Sequence, residues 1–175
     1  MKQKLHYLLL TLLTAVVSAA WGQEVSYDFT DGSWSVKNGA LTNGTVSFTG
    51  QGSANFKMNT GYFMMGKNGA YINFPTYDFN VEKIEVIGNS GASGSVKMNI
   101  FVGDVAISTE TTGATSTNTY EIPSDYQTAE TQYTLKVTSS HNTQITGIKV
   151  YKADGTTKTP VATINSISPT SLSDR

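Results

Sequence analysis

Short runs in which apolar and polar residues alternate dominate this chain and limit the folds open to it. Successive side chains of an extended strand point to opposite faces, so every second residue of such a run shares one face. No window after residue 22 shows apolar residues recurring at helical spacing, and the sequence therefore predicts an all-β fold. The apolar positions of the runs are Val25, Tyr27 and Phe29; Val46 and Phe48; Ala70, Ile72 and Phe74; Val96, Met98, Ile100 and Val102; Tyr120 and Ile122; Tyr133, Leu135 and Val137; Ile148 and Val150.

Dipeptides typical of tight turns separate these runs. Asn-Gly and Asp-Gly pairs tolerate the positive φ that two-residue hairpins require. Strands and turns at this spacing predict an antiparallel β-sandwich or jelly roll of about eight to ten short strands. The dipeptides are Asp31-Gly32, Asn38-Gly39, Asn43-Gly44, Asn68-Gly69 and Gly103-Asp104.

The amino terminus has the three parts of a secretory signal peptide. Lys2 and Lys4 form the basic region, residues 8–20 are apolar, and small residues precede a cleavage site between Gly22 and Gln23. The alternative is a membrane anchor, but an apolar run of about 13 residues is shorter than the roughly 20 that a spanning helix needs. We therefore expect a secreted, periplasmic or cell-surface protein of a bacterium, with no membrane span once the signal is removed.

Composition removes several classes of function. The chain has no cysteine, which excludes disulfides, thiolate metal sites and a cysteine nucleophile. Without the signal it carries ten basic and thirteen acidic residues, which are not clustered. Nucleic-acid binding normally needs a basic patch or stripe, so we expect no nucleic-acid partner.

The sequence predicts three segments. Residues 1–22 form the signal, residues 23–152 form the sandwich, and residues 153–175 form a linker with the start of a following Ig-like domain, or alternatively a short tail. Two segments within the sandwich are irregular: residues 88–95 are rich in Gly and Ser, and residues 109–119 are rich in Thr. We expect both to be exposed loops, which either carry binding residues or only connect strands.

Residues suited to catalysis or metal binding are sparse. His141 is the one histidine after the signal and lies in a polar turn, so neither a catalytic triad nor a zinc site is expected. No pair of carboxylates is marked out for glycoside hydrolysis, and the sequence predicts a protein that is not an enzyme. We expect no cofactor except a structural calcium ion, for which Asp28, Asp31 and Asp78 near strand ends are the candidate ligands; the alternative is that they cap turns or face water.

Aromatic and amide side chains are the better candidates for a binding site. Apolar faces of sugar rings stack on exposed aromatic rings, and their hydroxyl groups bond to amides. Tyr71 and Tyr77 alternate away from Ile72 and Phe74, which predicts an outward position for both tyrosines; the alternative is that any one aromatic residue belongs to the core. The candidate ligand-binding residues are Trp34, Tyr62, Asn68, Tyr71, Asn73 and Tyr77.

Three stretches resemble modules of secreted Bacteroidetes surface proteins. They are YDFTDGSW at residues 27–34, GAYINFPTYDFNVEKIEVIGNSG at 69–91 and QITGIKVYK at 144–152. In such proteins a galactose-binding-like jelly roll, of the kind found in carbohydrate-binding modules, often precedes Ig-like repeats or an enzyme domain.

The resemblance covers residues 24–152 and implies carbohydrate binding or surface attachment. We expect a non-catalytic module that binds a polysaccharide or other glycan, with neighbouring domains of a longer chain as further partners. Two alternatives remain: a structural or adhesive spacer of a surface protein, and a small glycoside-active enzyme.

Overall fold

A computed structural model describes residues 24–52 and 55–153. The predicted signal peptide, its cleavage between Gly22 and Gln23, and nearly all of the predicted linker and following domain lie outside the described residues. Within them, no helix is long and apolar enough to cross a membrane.

The described chain is all-β, as the alternation predicts, and two antiparallel sheets pack as a sandwich. The six-stranded sheet contains β1 (Glu24–Asp28), β5 (Lys57–Asn59), β6 (Tyr62–Met64), β8 (Val81–Gly88), β12 (Asn118–Glu121) and β14 (Gln144–Lys152). The eight-stranded sheet contains β2 (Ser35–Lys37), β3 (Ala40–Thr42), β4 (Ser47–Gln51), β7 (Tyr71–Asn73), β9 (Lys97–Val102), β10 (Val105–Ala106), β11 (Thr111–Thr112) and β13 (Tyr133–Val137). One 3₁₀ turn covers Ser124–Tyr126.

Most neighbouring strands are distant in sequence. In the six-stranded sheet β14 lies between β8 on one side and both β1 and β6 on the other, with β12 outside β8 and β5 outside β6. In the eight-stranded sheet the order is β9, β13, β7, β4, β3, β2, and β10 and β11 share the outer edge of β9. The first and last strands of the described chain therefore lie side by side.

The predicted apolar stripes face the interface between the sheets. Ile72, Ile100 and Leu135 have no exposed surface, and edge-to-face contacts join the aromatic rings of the core. The ring centroids of Tyr27 and Phe48 lie 4.9 Å apart, for example. This continuous apolar layer holds the two sheets together because its burial removes apolar surface from water.

The predicted tight turns form where Gly and Asn occur. Asn38 and Gly39 have φ of 50° and 75° and join β2 to β3 in a two-residue hairpin, with Lys37 paired to Ala40. Positive φ at both turn positions is what a type I′ hairpin needs, which explains the choice of residues.

The expected strand count of about eight to ten is wrong. Fourteen strands lie within residues 24–52 and 55–153, and seven of them have only two or three residues. Runs this short do not contain enough positions for a period of two to be recognised in the sequence.

The two irregular segments pack against each other, although most of residues 109–119 and half of residues 88–95 are exposed, as expected. The backbone N–H of Asn89 donates to the Ala114 carbonyl at 3.0 Å, and that of Ala114 donates to the Ser93 carbonyl at 3.1 Å. The Ala114 side chain is buried. The Gly at position 88 permits this approach, since a Cβ there would lie 2.1 Å from the Ala114 carbonyl oxygen.

Candidate functional site

A groove of about 500 Å³ lies on the outer face of the eight-stranded sheet. It crosses β7, β13 and β9, where residues that alternate with fully buried ones point outward. Its floor combines two aromatic rings, two amides, a hydroxyl and an ammonium group. These side chains are Tyr71, Asn73, Phe101, Gln132, Thr134 and Lys136.

Strand register places five of these side chains in two rows, and Gln132 lies just before β13. Thr134 on β13 lies opposite Asn73 on one side and Phe101 on the other. Lys136, two residues further along β13, lies opposite Tyr71. Residues directly opposite in antiparallel strands share a face. With strands about 4.8 Å apart, the Cα atoms of Tyr71 and Phe101 are separated by roughly 12 Å, which is wider than one sugar ring.

Hydrogen bonds fix the Asn73 side chain in the first row and leave some of its hydrogen-bonding sites unused by described residues. The Thr134 hydroxyl donates to Asn73 Oδ1 at 2.7 Å, and Asn73 Nδ2 donates to Thr49 Oγ1 at 3.2 Å. A primary amide has two N–H donors and an oxygen with two lone pairs. Asn73 is thus held in one orientation while keeping a donor and an acceptor site for a ligand.

The lysine of the second row is held by an aromatic ring. Lys136 Nζ lies 5.3 Å from the centre of the Phe101 ring, an arrangement in which the ring quadrupole attracts the cation. Because the ammonium covers one face of Phe101, half-buried Tyr71 is the groove's better platform for stacking. Asp104, in the hairpin between β9 and β10, is exposed at the rim.

Two of the six candidate ligand-binding residues, Tyr71 and Asn73, come together in this groove. Tyr62 lies on β6 of the other sheet, where the neighbouring Phe63 is fully buried and Tyr62 therefore faces outward. Asn68 is exposed in the turn before β7.

Trp34 and Tyr77, which the sequence offered as ligand-binding residues, are core residues instead. Trp34 is 7% exposed and packs edge-to-face on Phe29 with 5.0 Å between ring centroids. Tyr77 is 6% exposed, although the alternation predicted an outward side chain. β7 ends at Asn73 and residues 74–77 belong to no strand, so counting by two from Phe74 fails there. Neither ring offers an open face to a ligand.

A second depression, also of about 500 Å³, combines residues of both sheets with the loop after β7. Tyr27 and Tyr77 contribute their hydroxyls, which hydrogen-bond to each other at 3.3 Å. Burial raises the pKa of both phenols, so both stay protonated at neutral pH. Asp78 and Glu130 supply carboxylates.

The three aspartates considered for calcium do not converge. Asp28 Oδ1 accepts hydrogen bonds from the backbone N–H and hydroxyl of Thr30, and Asp31 Oδ1 accepts the equivalent pair from Ser33. The bonds from Thr30 lower the pKa of Asp28. Asp28 and Asp31 thus cap turns, and Asp78 lines the second depression. Within the described ranges, no three acidic or histidine side chains are grouped closely enough to hold a metal ion.

The candidate binding residues inferred from the sequence did not include Asp104 at the rim or four residues of the groove floor: Phe101, Gln132, Thr134 and Lys136. The alternation on β9 does indicate the outward position of Phe101, because it follows the inward Ile100, and the same count places Thr134 and Lys136 outward. What the sequence lacks is the pairing that brings β9, β13 and β7 side by side, since alternation sets the faces of a strand and not its partners.

The groove has a composition suited to polar ring-shaped ligands, with one open aromatic face, an oriented amide and a cation. The resemblance to galactose-binding-like modules stays a prediction. No protein-family profile and no curated protein matches this chain at a significant level.

Proposed function

We propose that this protein is an exported, non-catalytic module that binds carbohydrate in the groove on the outer face of the eight-stranded sheet. The observation that carries the proposal is the convergence of Tyr71 and Asn73 with three further side chains on three adjacent strands and with Gln132 just before one of them. An aromatic ring beside oriented hydrogen-bonding groups matches a sugar, whose C–H face is apolar and whose edge carries hydroxyls.

Each groove residue has a role in this proposal. Tyr71 stacks on the apolar face of a sugar ring, and Asn73 and Thr134 bond to ring hydroxyls. The roughly 12 Å between Tyr71 and Phe101 favours an oligosaccharide over a single sugar. Because Tyr71, Asn73 and Thr134 lie on paired strands, this part of the groove is formed before the ligand arrives, which lowers the entropic cost of binding.

The groove favours binding without hydrolysis because Asp104 is the one carboxylate among the described residues that line it. Glycoside hydrolysis ordinarily uses two carboxylates, one as acid and one as nucleophile or base. A polysaccharide, and the rest of a longer surface protein, are the partners that this role implies.

Binding by the purified full chain to soluble neutral and acidic polysaccharides, followed by affinity gel electrophoresis and calorimetry, tests the proposal. Tyr71→Ala should weaken binding about five- to tenfold through loss of the stacked ring. Tyr62→Ala is the matched control, since Tyr62 is also a half-buried tyrosine that begins a three-residue strand, but on the other sheet. Binding that both variants retain, or retention of the wild-type chain by no polysaccharide, would contradict the proposal.

The alternative of a structural or adhesive spacer has one observation in its favour. Val105 on the edge strand β10 is 54% exposed and is the large hydrophobic residue most open to water in the described chain. An edge strand has unpaired backbone groups that can pair with another chain. Val105→Lys should then abolish self-association or association with neighbouring domains, measured by sedimentation, and should leave glycan binding unchanged.

A further inference from the structure

Among the residues that the structure describes, the ammonium group of Lys136 has no negative partner. Its Nζ contacts the Phe101 ring, and within residues 24–52 and 55–153 no carboxylate lies within 4.0 Å of it. Two other lysines of the described chain do form ion pairs: Lys83 with Glu85 and Lys97 with Glu110, both at 3.2 Å. Lys136 is half-buried in the groove floor, so it has lost part of its hydration without gaining a counter-charge.

The surroundings fix where this positive charge lies. Lys136 stands opposite Tyr71 on β7 and one strand away from Phe101, so the charge lies between the two aromatic rings of the groove. The cation–π contact with Phe101 orients the ammonium, and no described residue accepts a hydrogen bond from its N–H donors. An anionic group of a ligand stacked on Tyr71 would meet these donors.

We propose that the groove recognises carbohydrate that carries an anionic group, a carboxylate or a sulfate, which accepts hydrogen bonds from Lys136. This inference rests on the proposed function and adds the class of ligand. In the resulting complex Tyr71 stacks on the sugar ring, Asn73 bonds to a hydroxyl, and the anion replaces the missing counter-charge of Lys136. A charge-assisted hydrogen bond of this kind is stronger than one between neutral groups.

Asp104 at the rim limits how much negative charge the groove accepts. It lies in the turn that joins the end of β9 to the edge strand β10, whereas Lys136 lies on β13, on the other side of β9. A second anionic group beside Asp104 would be repelled. The groove therefore favours a chain in which the anionic group lies near Tyr71 over one in which every sugar unit is charged.

Pairs of polysaccharides that differ only in charge provide the test. The full chain is titrated with partly esterified polygalacturonate and its fully methyl-esterified form, and with lightly sulfated dextran and unmodified dextran, at one fixed ionic strength. We expect about tenfold tighter binding to the charged member of at least one pair. The pectin pair identifies a carboxylate as the recognised group, and the dextran pair identifies a sulfate.

Two variants of Lys136 test whether this residue causes the preference for charged polysaccharides. Lys136→Met retains the length of the apolar stem and removes the charge, and should abolish the preference, while Lys136→Arg should keep most of it. Lys83→Met is the matched control, because Lys83 also lies over an aromatic ring but on the opposite face of the sandwich. It should leave the preference unchanged.

The outcomes separate this inference from the proposed function. Equal affinity for charged and uncharged members, or a preference that persists in Lys136→Met, would overturn the inference. If in that case Tyr71→Ala still weakened binding, the proposed function would stand. Failure of the wild-type chain to bind any of the four polysaccharides would overturn the inference, and failure across the wider neutral and acidic panel would overturn the proposed function with it.

Discussion

Each outer face of the sandwich holds a lysine over an aromatic ring, but the two pairs differ in what surrounds them. On the six-stranded sheet, Lys83 Nζ lies 4.0 Å from the centre of the Tyr151 ring. Glu85 completes this group, since it pairs with Lys83 at 3.2 Å and accepts a hydrogen bond from the Tyr151 hydroxyl at 2.8 Å. On the eight-stranded sheet, the Lys136 ammonium has the Phe101 ring and no described carboxylate.

The difference separates a structural group from one that is open to a ligand. A network in which cation, anion and hydroxyl satisfy one another gains little from an added partner. A cation whose donors are unused gains a full set of interactions when an anion arrives. The same residue types therefore stabilise one face and equip the other for binding.

The largest expected effect on the free energy of unfolding comes from a substitution in the core between the two sheets. Trp34→Ala should reduce the free energy of unfolding by about 3–5 kcal/mol, because it empties a large buried volume. Tyr71→Ala, on the outer face, should cost about 1 kcal/mol or less. Urea denaturation followed by circular dichroism measures both. Similar losses for the two variants would mean that Tyr71 also belongs to the packing of the sandwich.

The next effect is on stability in alkali. Burial raises the pKa of Tyr77 and Tyr120 above the ordinary value of 10.0. The folded chain keeps these protons where the unfolded chain releases them, so their contribution to stability is complete below about pH 10 and falls as pH rises above it. Tyr77→Phe should cost about 1–2 kcal/mol at pH 7, through the lost bond with Tyr27, and should make the alkaline decline shallower.

Thermal unfolding from pH 7 to 12 checks this expectation. Tyr120→Phe should also make the decline shallower, since Tyr120 is buried in the same way. A wild-type chain whose stability did not change between pH 9 and 12 would contradict the prediction. Ligand-binding experiments that compare the two faces should be carried out below pH 10, where the fold keeps its full stability.

The sequence predicted the sandwich because several strands follow strict alternation. The inward stripe of β9, from Val96 to Ile100, and that of β13, at Tyr133, Leu135 and Val137, are buried as expected. Strand β8 did not stand out among the alternating runs, because its buried residues Val81, Ile84 and Val86 are spaced by three and then by two. The register between β8 and β14 shifts at this point, with Tyr151 opposite Lys83 and Lys152 opposite Val81. Such a bulge inserts a residue and breaks the period of two.

Only part of the groove could be predicted from the sequence, because alternation gives the face of a residue but not the strand beside it. Tyr71 and Asn73 are two residues apart on one strand, and alternation alone places them on one face. Lys136 and Phe101 join them only because β13 pairs with both β7 and β9. That pairing depends on packing across the whole sandwich, which local patterns do not encode. Trp34 and Tyr77 were misplaced because they lie outside the regular strands.

A smaller effect on stability is expected for the group formed by Lys83, Glu85 and Tyr151 on the six-stranded sheet. Glu85→Gln should reduce the free energy of unfolding by about 1 kcal/mol, because Lys83 loses its ion pair and the Tyr151 hydroxyl loses a charged acceptor. The loss should shrink in 1 M salt, which screens the pair in the wild-type chain. Glu121→Gln, at an exposed position of β12 in the same sheet, is the control and should change stability by less. Equal effects of the two substitutions would remove the distinction between the faces.

The smallest expected effect is that of Lys136→Met in the absence of a ligand. Only the contact with the Phe101 ring is lost, and the methionine side chain still covers that ring, so the free energy of unfolding should change by less than about 0.5 kcal/mol. Urea denaturation of this variant beside Glu85→Gln measures the contrast directly. A loss as large as that of Glu85→Gln would show that Lys136 stabilises the fold as Lys83 does. In that case the absence of a carboxylate beside it would no longer indicate a place for a ligand.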